Sequence, residues 1–375
     1  MAAARHRRPL HLFAGFGVEL EYMIVDAQTL DVRPLADRVL VDARGRVQDD
    51  LEHGALGWSN ELVMHVIELK TNGPAPGLAG LAARFAEGVA QVEERLAPLG
   101  ARLLGTAMHP WMDPHAETVL WPHGSSTIYR TYDRIFDCRG HGWSNLQSVH
   151  LNLPFADDGE FARLHAAVRL VLPLLPGLAA SSPLVEGRTT GLADNRLDFY
   201  RRNQRRVPEL AGRIVPERVY SRADYEREIL ERSYRAIAPH DPDGVLQHEW
   251  LNSRGAIARF DRGAIEIRLL DLQECPLADL AVAALVVAVI RALCEERWVP
   301  LARQQALDVD PLAELLLVGI GSAERAEVTD PGHLACLGLD APTEVGAVWR
   351  ALRDRVGQDL PPECQGPLDR ILGAG

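Results

Sequence analysis

Between Val18 and Val25 the chain alternates apolar and polar residues, with Val18, Leu20 and Tyr22 on one parity and Glu19 and Glu21 on the other. A period of two predicts a half-buried β-strand, here bounded by glycines and Asp26. Glu61–Thr71 (ELVMHVIELKT) predicts a second strand, closed by the turn signal Asn72-Gly73-Pro74. Arg102–Met108, Val149–Leu153 and Gly263–Leu270 complete the strands. Helical spacing fills Gly77–Leu99, Glu160–Leu175 and Tyr225–Ile237. The most apolar stretch, Pro276–Glu296, falls short of the roughly 20 uninterrupted residues of a membrane span and carries Asp279 and Arg291, so a buried helix is expected. Strands not interleaved one for one with helices favour α+β over a doubly wound parallel sheet. No linker and no internal repeat divides the sequence. One compact domain is expected, helical from about Leu301 onward.

Composition narrows the class. The 375 residues are 47% hydrophobic and 25% charged, an ordinary globular mixture. A net charge of −12 argues against a nucleic-acid surface. Five cysteines without a CxxC pair point to a reduced, cytoplasmic protein rather than a disulfide scaffold. The basic start lacks an apolar core with a small-residue cleavage site, so no signal peptide is expected. Lysine occurs once, at Lys70; the other 39 basic residues are arginine. No GxxxxGK[ST] loop is present, so any phosphate must be gripped by arginine, metal and backbone amides.

The polar parities of the strands are unusual together. Glu19 and Glu21 share a face, as do Glu68 and Lys70, Ser148, His150 and Asn152, and Glu266 and Arg268. Any one pair could be the wet face of an antiparallel sheet. Several glutamates on one surface repel each other unless cations sit among them. Carboxylates with a single imidazole suit magnesium or manganese rather than a thiolate-bound zinc. A polar loop, Ser181–Arg196, and an arginine-rich stretch holding Arg254, Arg259, Arg262 and Arg268 add groups able to bind phosphate or carboxylate. Gly15–Leu20 (GFGVEL) is a strand start and not a dinucleotide fingerprint, since no helix follows.

With those residues in view, the chain resembles the glutamate–cysteine ligase type 2 (carboxylate–amine ligase) family. The resemblance is carried by six ordered segments: GVELEYMIVD, ELVMHVIELKT, GTAMHPW, QSVHLNLP, SSPLVEGRTTGLADNR and AIEIRLLDLQECP. It implies an α+β, glutamine-synthetase-like fold, a curved antiparallel sheet forming a funnel with helices on its outer face. Residues 1–300 would form the catalytic part and 301–375 a helical part of the same domain. It implies ATP with Mg2+ or Mn2+, and an amide formed from a glutamate-like acid and a cysteine-like amine through an acyl phosphate. By motif position Glu19, Glu21, Glu61, Glu68, His150 and Glu266 would hold metal, and His150, Arg254 and Arg259 would hold nucleotide. Glu266 and Arg268 would be catalytic, and Arg196 and Lys70 would contact substrate.

Lys70 departs from the neutral or acidic side chain expected there, and Ile128–Gly140, which matches only loosely, is a candidate to set the amine. The segment after about residue 300 matches nothing in the family pattern. No nucleic-acid or membrane partner is expected, and self-association is left open. The residues alone leave three rivals: a metal-dependent phosphotransferase, an amide hydrolase and a non-catalytic nucleotide-binding paralogue.

Overall fold

The computed structural model describes residues 9–373. Its centre is an open, wholly antiparallel sheet of eight strands. In chain order these are β1 (Gly17–Asp26), β2 (Asp50–His53), β3 (Leu56–Asn60), β4 (Val66–Thr71), β5 (Ala101–Leu104), β6 (Ser148–Pro154), β7 (Ala256–Arg259) and β8 (Ala264–Asp271). The spatial order is β2-β3-β4-β1-β6-β8-β7, and β5 continues the β6 side along the second half of β1.

The alternation read in the sequence divides the sheet into two faces. Val18, Leu20, Tyr22 and Ile24 of β1, Ile67 and Leu69 of β4, Val149, Leu151 and Leu153 of β6, and Ile265 and Ile267 of β8 enter one large core. Against that face pack helices α1 (Leu81–Leu96), α2 (Asp158–Val171) and α3 (Pro276–Cys294). Helix α3, apolar apart from Asp279 and Arg291, passes for a membrane span by length and composition alone. Every residue from Ala278 to Ile290 is buried, as so apolar a helix requires. Helices α4 (Val309–Ser322), α5 (Val345–Val356) and α6 (Pro362–Gly373) feed Leu312, Leu316, Trp349, Leu352 and Leu368 into the same core.

Three strand assignments change. Glu61–Thr71 is not one strand, because only Val66–Thr71 is extended, and Glu61 follows a separate strand, β3. In β3 Leu56 and Trp58 face the core while Gly57 and Ser59 leave room on the other side; its Gly, Ser and Asn read as a turn in isolation. The strand expected at Arg102–Met108 ends at Leu104. The arginine-rich stretch before Arg268 contains β7, joined to β8 by a tight turn with Gly263 at φ +63°.

Candidate active site

The face opposite the large core floors a cleft of about 1630 Å3. Single-ligand pockets run to roughly 1,000 Å3, so this cleft has room for more than one small molecule. Strand register sets what stands beside what on the floor. Glu21 lies directly opposite Glu68, and Glu19 lies opposite Lys70 on one side and His150 on the other. Glu266 lies opposite Asn152. Directly opposed side chains are about 5 Å apart at Cβ, where like charges destabilise a sheet. Gly17 faces Asn152, and a Cβ there would come within 2.8 Å of the Asn152 Cβ, so a glycine is needed for this approach.

His150 is the hub. Its Nδ1 is 3.1 Å from Glu19 Oε2, and its Nε2 is 2.9 Å from Ser148 Oγ and 3.9 Å from Glu21 Oε1. Ser148 holds Glu21 through its backbone N–H (2.7 Å) and its hydroxyl (2.8 Å), both donated to Oε2. Asn152 donates to Glu19 Oε1 at 3.0 Å, and Ser59 donates to Glu68 Oε1 at 2.7 Å.

The protonation pattern shows crowded charge. Burial, reinforced by Glu19 and offset in part by Lys70 and Ser59, pushes Glu68 up to about 7. Burial with Glu21 and Glu68 nearby holds Glu61 well above the usual carboxylate range. Burial also works against ionisation of Glu19, but the His150 hydrogen bond and charge outweigh it and lower Glu19 to about 2. The partner effect overcomes desolvation at His150 and raises it to about 9.

Potential metal-ligating atoms fall into two groups that share His150. Glu19, His150 and Glu266 form one, Glu21, Glu68 and His150 the other, each with its atoms within 4.8 Å of one another. Hard oxygen donors plus one imidazole fit magnesium or manganese. Glu61 lines the cleft but belongs to neither group.

The arginines divide. Arg268 donates from Nε to Glu266 Oε1 at 2.6 Å and remains only partly buried, on the cleft. Arg259 reaches Glu266 Oε2 at 3.5 Å and Asp261 at 3.2 Å. Arg196 lines the cleft but is gripped from behind by Asp271. That grip comes from an irregularity in the pairing of β8 with β6: the register gains one residue between Ile267 and Leu270. Simple alternation would put Leu270 on the cleft face; the bulge buries Leu270 in the core and sets Asp271 opposite Ser148 instead. Asp271 is a site residue that no local pattern marks.

Arg254, expected among the nucleotide ligands, does not line the cleft. It lies just before β7, is buried and spends its fork on Glu217, at 2.6 and 2.5 Å. Lys70 is on the floor, with its ammonium against Asp50, Ser59 and Glu68.

The wall beyond Arg268 is aromatic. Helix Ser126–Phe136 supplies Tyr129 and Tyr132, and the neighbouring segments supply Trp143, Tyr200 and Trp250. Tyr132 sits 5.1 Å from Trp143 and 6.1 Å from Trp250 between ring centroids. Sequence reasoning misses Asp50, Ser59 and the Trp143, Tyr200 and Trp250 part of this wall because their meaning lies in which strand or helix they face. Of the Ile128–Gly140 segment, Tyr129 and Tyr132 reach the cleft.

A family model described as glutamate–cysteine ligase family 2 matches residues 15–359. A protein of Archaeoglobus fulgidus that is named only as uncharacterized is 39% identical over 281 residues, 75% of each chain. A protein of Bradyrhizobium sp. strain ORS 278 named "Putative glutamate--cysteine ligase 2" is 28% identical over 76% of this chain, and the match spans 62% of that protein's length. Among solved structures, the glutamate–cysteine ligase of Francisella tularensis in complex with AMP superposes with a TM-score of 0.60 at 14% identity, over 96% of this chain and 82% of that one. A bifunctional glutathione synthetase of Pasteurella multocida gives 0.59 at 14% identity, over 96% of this chain and 47% of that one. The shared architecture is the glutamine-synthetase-like α+β fold.

Proposed function

The chain belongs to glutamate–cysteine ligase family 2, and we propose on that footing that it is an ATP-dependent carboxylate–amine ligase using Mg2+ or Mn2+. A glutamate-like acid and a cysteine-like amine would be its substrates, and the helices after Leu301 would back the same functional unit. The observation that carries this reading is the opposition of Glu21 and Glu68 on neighbouring strands, beside His150 and on one face with the Glu266–Arg268 pair. Such a floor is costly by itself, and a divalent cation held by these residues would offset that cost.

In the proposed reaction a carboxylate oxygen of the acid attacks the γ-phosphorus of ATP, and the bond to the ADP oxygen breaks. The amine nitrogen then attacks the acyl carbon, phosphate departs with that carboxylate oxygen, and the amine loses a proton. A divalent ion would supply charge neutralisation on the phosphates. Glu19, Glu21, Glu68, Glu266 and His150 are the residues proposed to hold it, and Glu61 would lie at the rim of that set. Arg268, tethered by Glu266, is proposed to meet the charge of the transferred group. Arg259 is proposed to face the nucleotide phosphates. Arg196 is proposed to receive the acid's carboxylate, its guanidinium held by Asp271. The aromatic wall of Tyr132, Trp143 and Trp250 would bound the amine and set its size.

The test follows one oxygen atom. The acid substrate is labelled with heavy oxygen in its carboxylate and supplied with ATP, magnesium and a panel of amines. The ligase reading requires one labelled oxygen in inorganic phosphate per amide formed. Label retained wholly in organic product excludes carboxylate activation. Turnover without ATP would identify a hydrolase instead.

A further inference from the structure

Lys70 is the one lysine in a chain with 39 arginines, and it stands in the cleft rather than on the outer surface. An ammonium has three donors and no acceptor. The Lys70 ammonium donates to Ser59 Oγ at 2.8 Å and is ion-paired with Asp50 Oδ2 at 2.7 Å and Glu68 Oε1 at 3.3 Å. The stem lies along β3 over Gly57, where a Cβ would stand 3.6 Å from Lys70 Cγ and Cε. Ser59 closes the circuit, accepting from Lys70 and donating to Glu68. The ammonium thus faces two carboxylates and a hydroxyl of the floor, and what it brings to them is charge.

Across β1 it is also paired in register with Glu19. Three carboxylates, Asp50, Glu68 and Glu19, therefore surround this corner of the floor. A compact point charge with three splayed donors resembles a small hard cation, whereas a planar guanidinium fork does not. That difference gives a reason for a lysine here in a protein that uses arginine everywhere else.

We propose that Lys70 is a built-in cation standing where the acidic floor would otherwise take a further divalent ion. It neutralises Glu68 and Asp50 at the β2–β4 edge and confines divalent ions to the two groups that share His150. The inference rests on the metal-binding reading of the floor, and it makes the metal count of this chain a consequence of one residue.

Metal-free protein titrated calorimetrically with Mn2+, in the absence of nucleotide, tests it without any activity measurement. Lys70→Met keeps the stem and removes the charge. It is expected to bind one more Mn2+ per chain than the wild type, and to gain more in melting temperature on Mn2+ addition. Adding Asp50→Asn to Lys70→Met is expected to return the count to the wild-type value. Lys70→Gln, whose amide can still bond Asp50 and Ser59, provides the same count should the Met variant fail to fold by circular dichroism. An equal or lower count in the uncharged variants overturns this inference alone. A wild-type chain that binds no Mn2+ overturns the metal reading and the inference with it.

Discussion

Replacing Glu68 with glutamine should stabilise the metal-free protein. Glu68 is buried, lies opposite Glu21 and has its carboxyl raised from 4.5 to about 7. The folded state thus holds a proton between pH 4.5 and 7 that the unfolded state has released, so stability falls as pH rises through that window. Above pH 7 the whole penalty is present, and a shift of this size corresponds to about 3 kcal/mol. Burial is the main cause, with the Glu19 charge adding to it and Lys70 and Ser59 opposing it.

Glutamine mimics the protonated acid, retains an acceptor for Ser59 and leaves Lys70 with Asp50 and Ser59. With EDTA present, E68Q should therefore be more stable than wild type by about 3 kcal/mol at pH 8 but by only about 1 kcal/mol at pH 5. For 375 residues, 3 kcal/mol corresponds to a rise of about 4 °C in melting temperature. Saturating Mn2+ should close most of that gap. A site filled to 100 times its dissociation constant adds about 2.7 kcal/mol to the wild type, and E68Q should lose most of that gain. Urea unfolding followed by tryptophan fluorescence at both pH values, with EDTA and with Mn2+, reads all four numbers. A metal-free E68Q that is less stable than wild type at pH 8, or a gain that does not depend on pH, refutes the argument that the floor is held under electrostatic strain.

Three further outcomes are expected. Arg268→Ala should slow amide formation by ~100 to 1,000-fold while changing the KM for the acid less, because only the charge facing the transferred group is lost; steady-state kinetics with both substrates varied checks this. Arg254→Met should cost about 2 kcal/mol by stranding the half-exposed Glu217, yet leave kcat/KM within about twofold, since Arg254 lies outside the cleft; a larger kinetic loss would restore it to the nucleotide site. Burial lowers His333 to about 4, its ring bonded to the Leu170 carbonyl at 2.8 Å. Below pH 6.5 the unfolded state takes up a proton that the folded state refuses, so stability should fall from pH 6.5 toward 4. In His333→Gln that slope should shrink by one proton, as measured by denaturant unfolding across the window.

The parity of apolar and polar residues in β1, β4, β6 and β8 by itself puts Glu19 with Glu21, and Glu266 with Arg268, on the polar side of their strands, along with Glu68 and His150. All six line the cleft. That much is local physics: a strand buried on one side must alternate, and the alternation says which side chains travel together. The same logic identifies Pro276–Cys294 as a core helix, because so apolar a segment cannot face water. Its limits are equally physical. A period-two pattern does not say which strand lies beside which, so the opposition of Glu21 to Glu68 and the pairing of Lys70 with Asp50 arise only when β2, β3 and β4 assemble. Nor does it foresee a bulge, and the single residue inserted after Ile267 exchanges Leu270 for Asp271 on the cleft side and so decides what holds Arg196. Arg254 and Arg259 are alike in sequence, two basic residues in one arginine-rich run. One is absorbed by Glu217 and the other opens onto the floor because the chain turns into β7 between them. Which face a residue takes follows from its immediate neighbours in the chain; which charge it meets follows from segments far away, and only their packing brings those together.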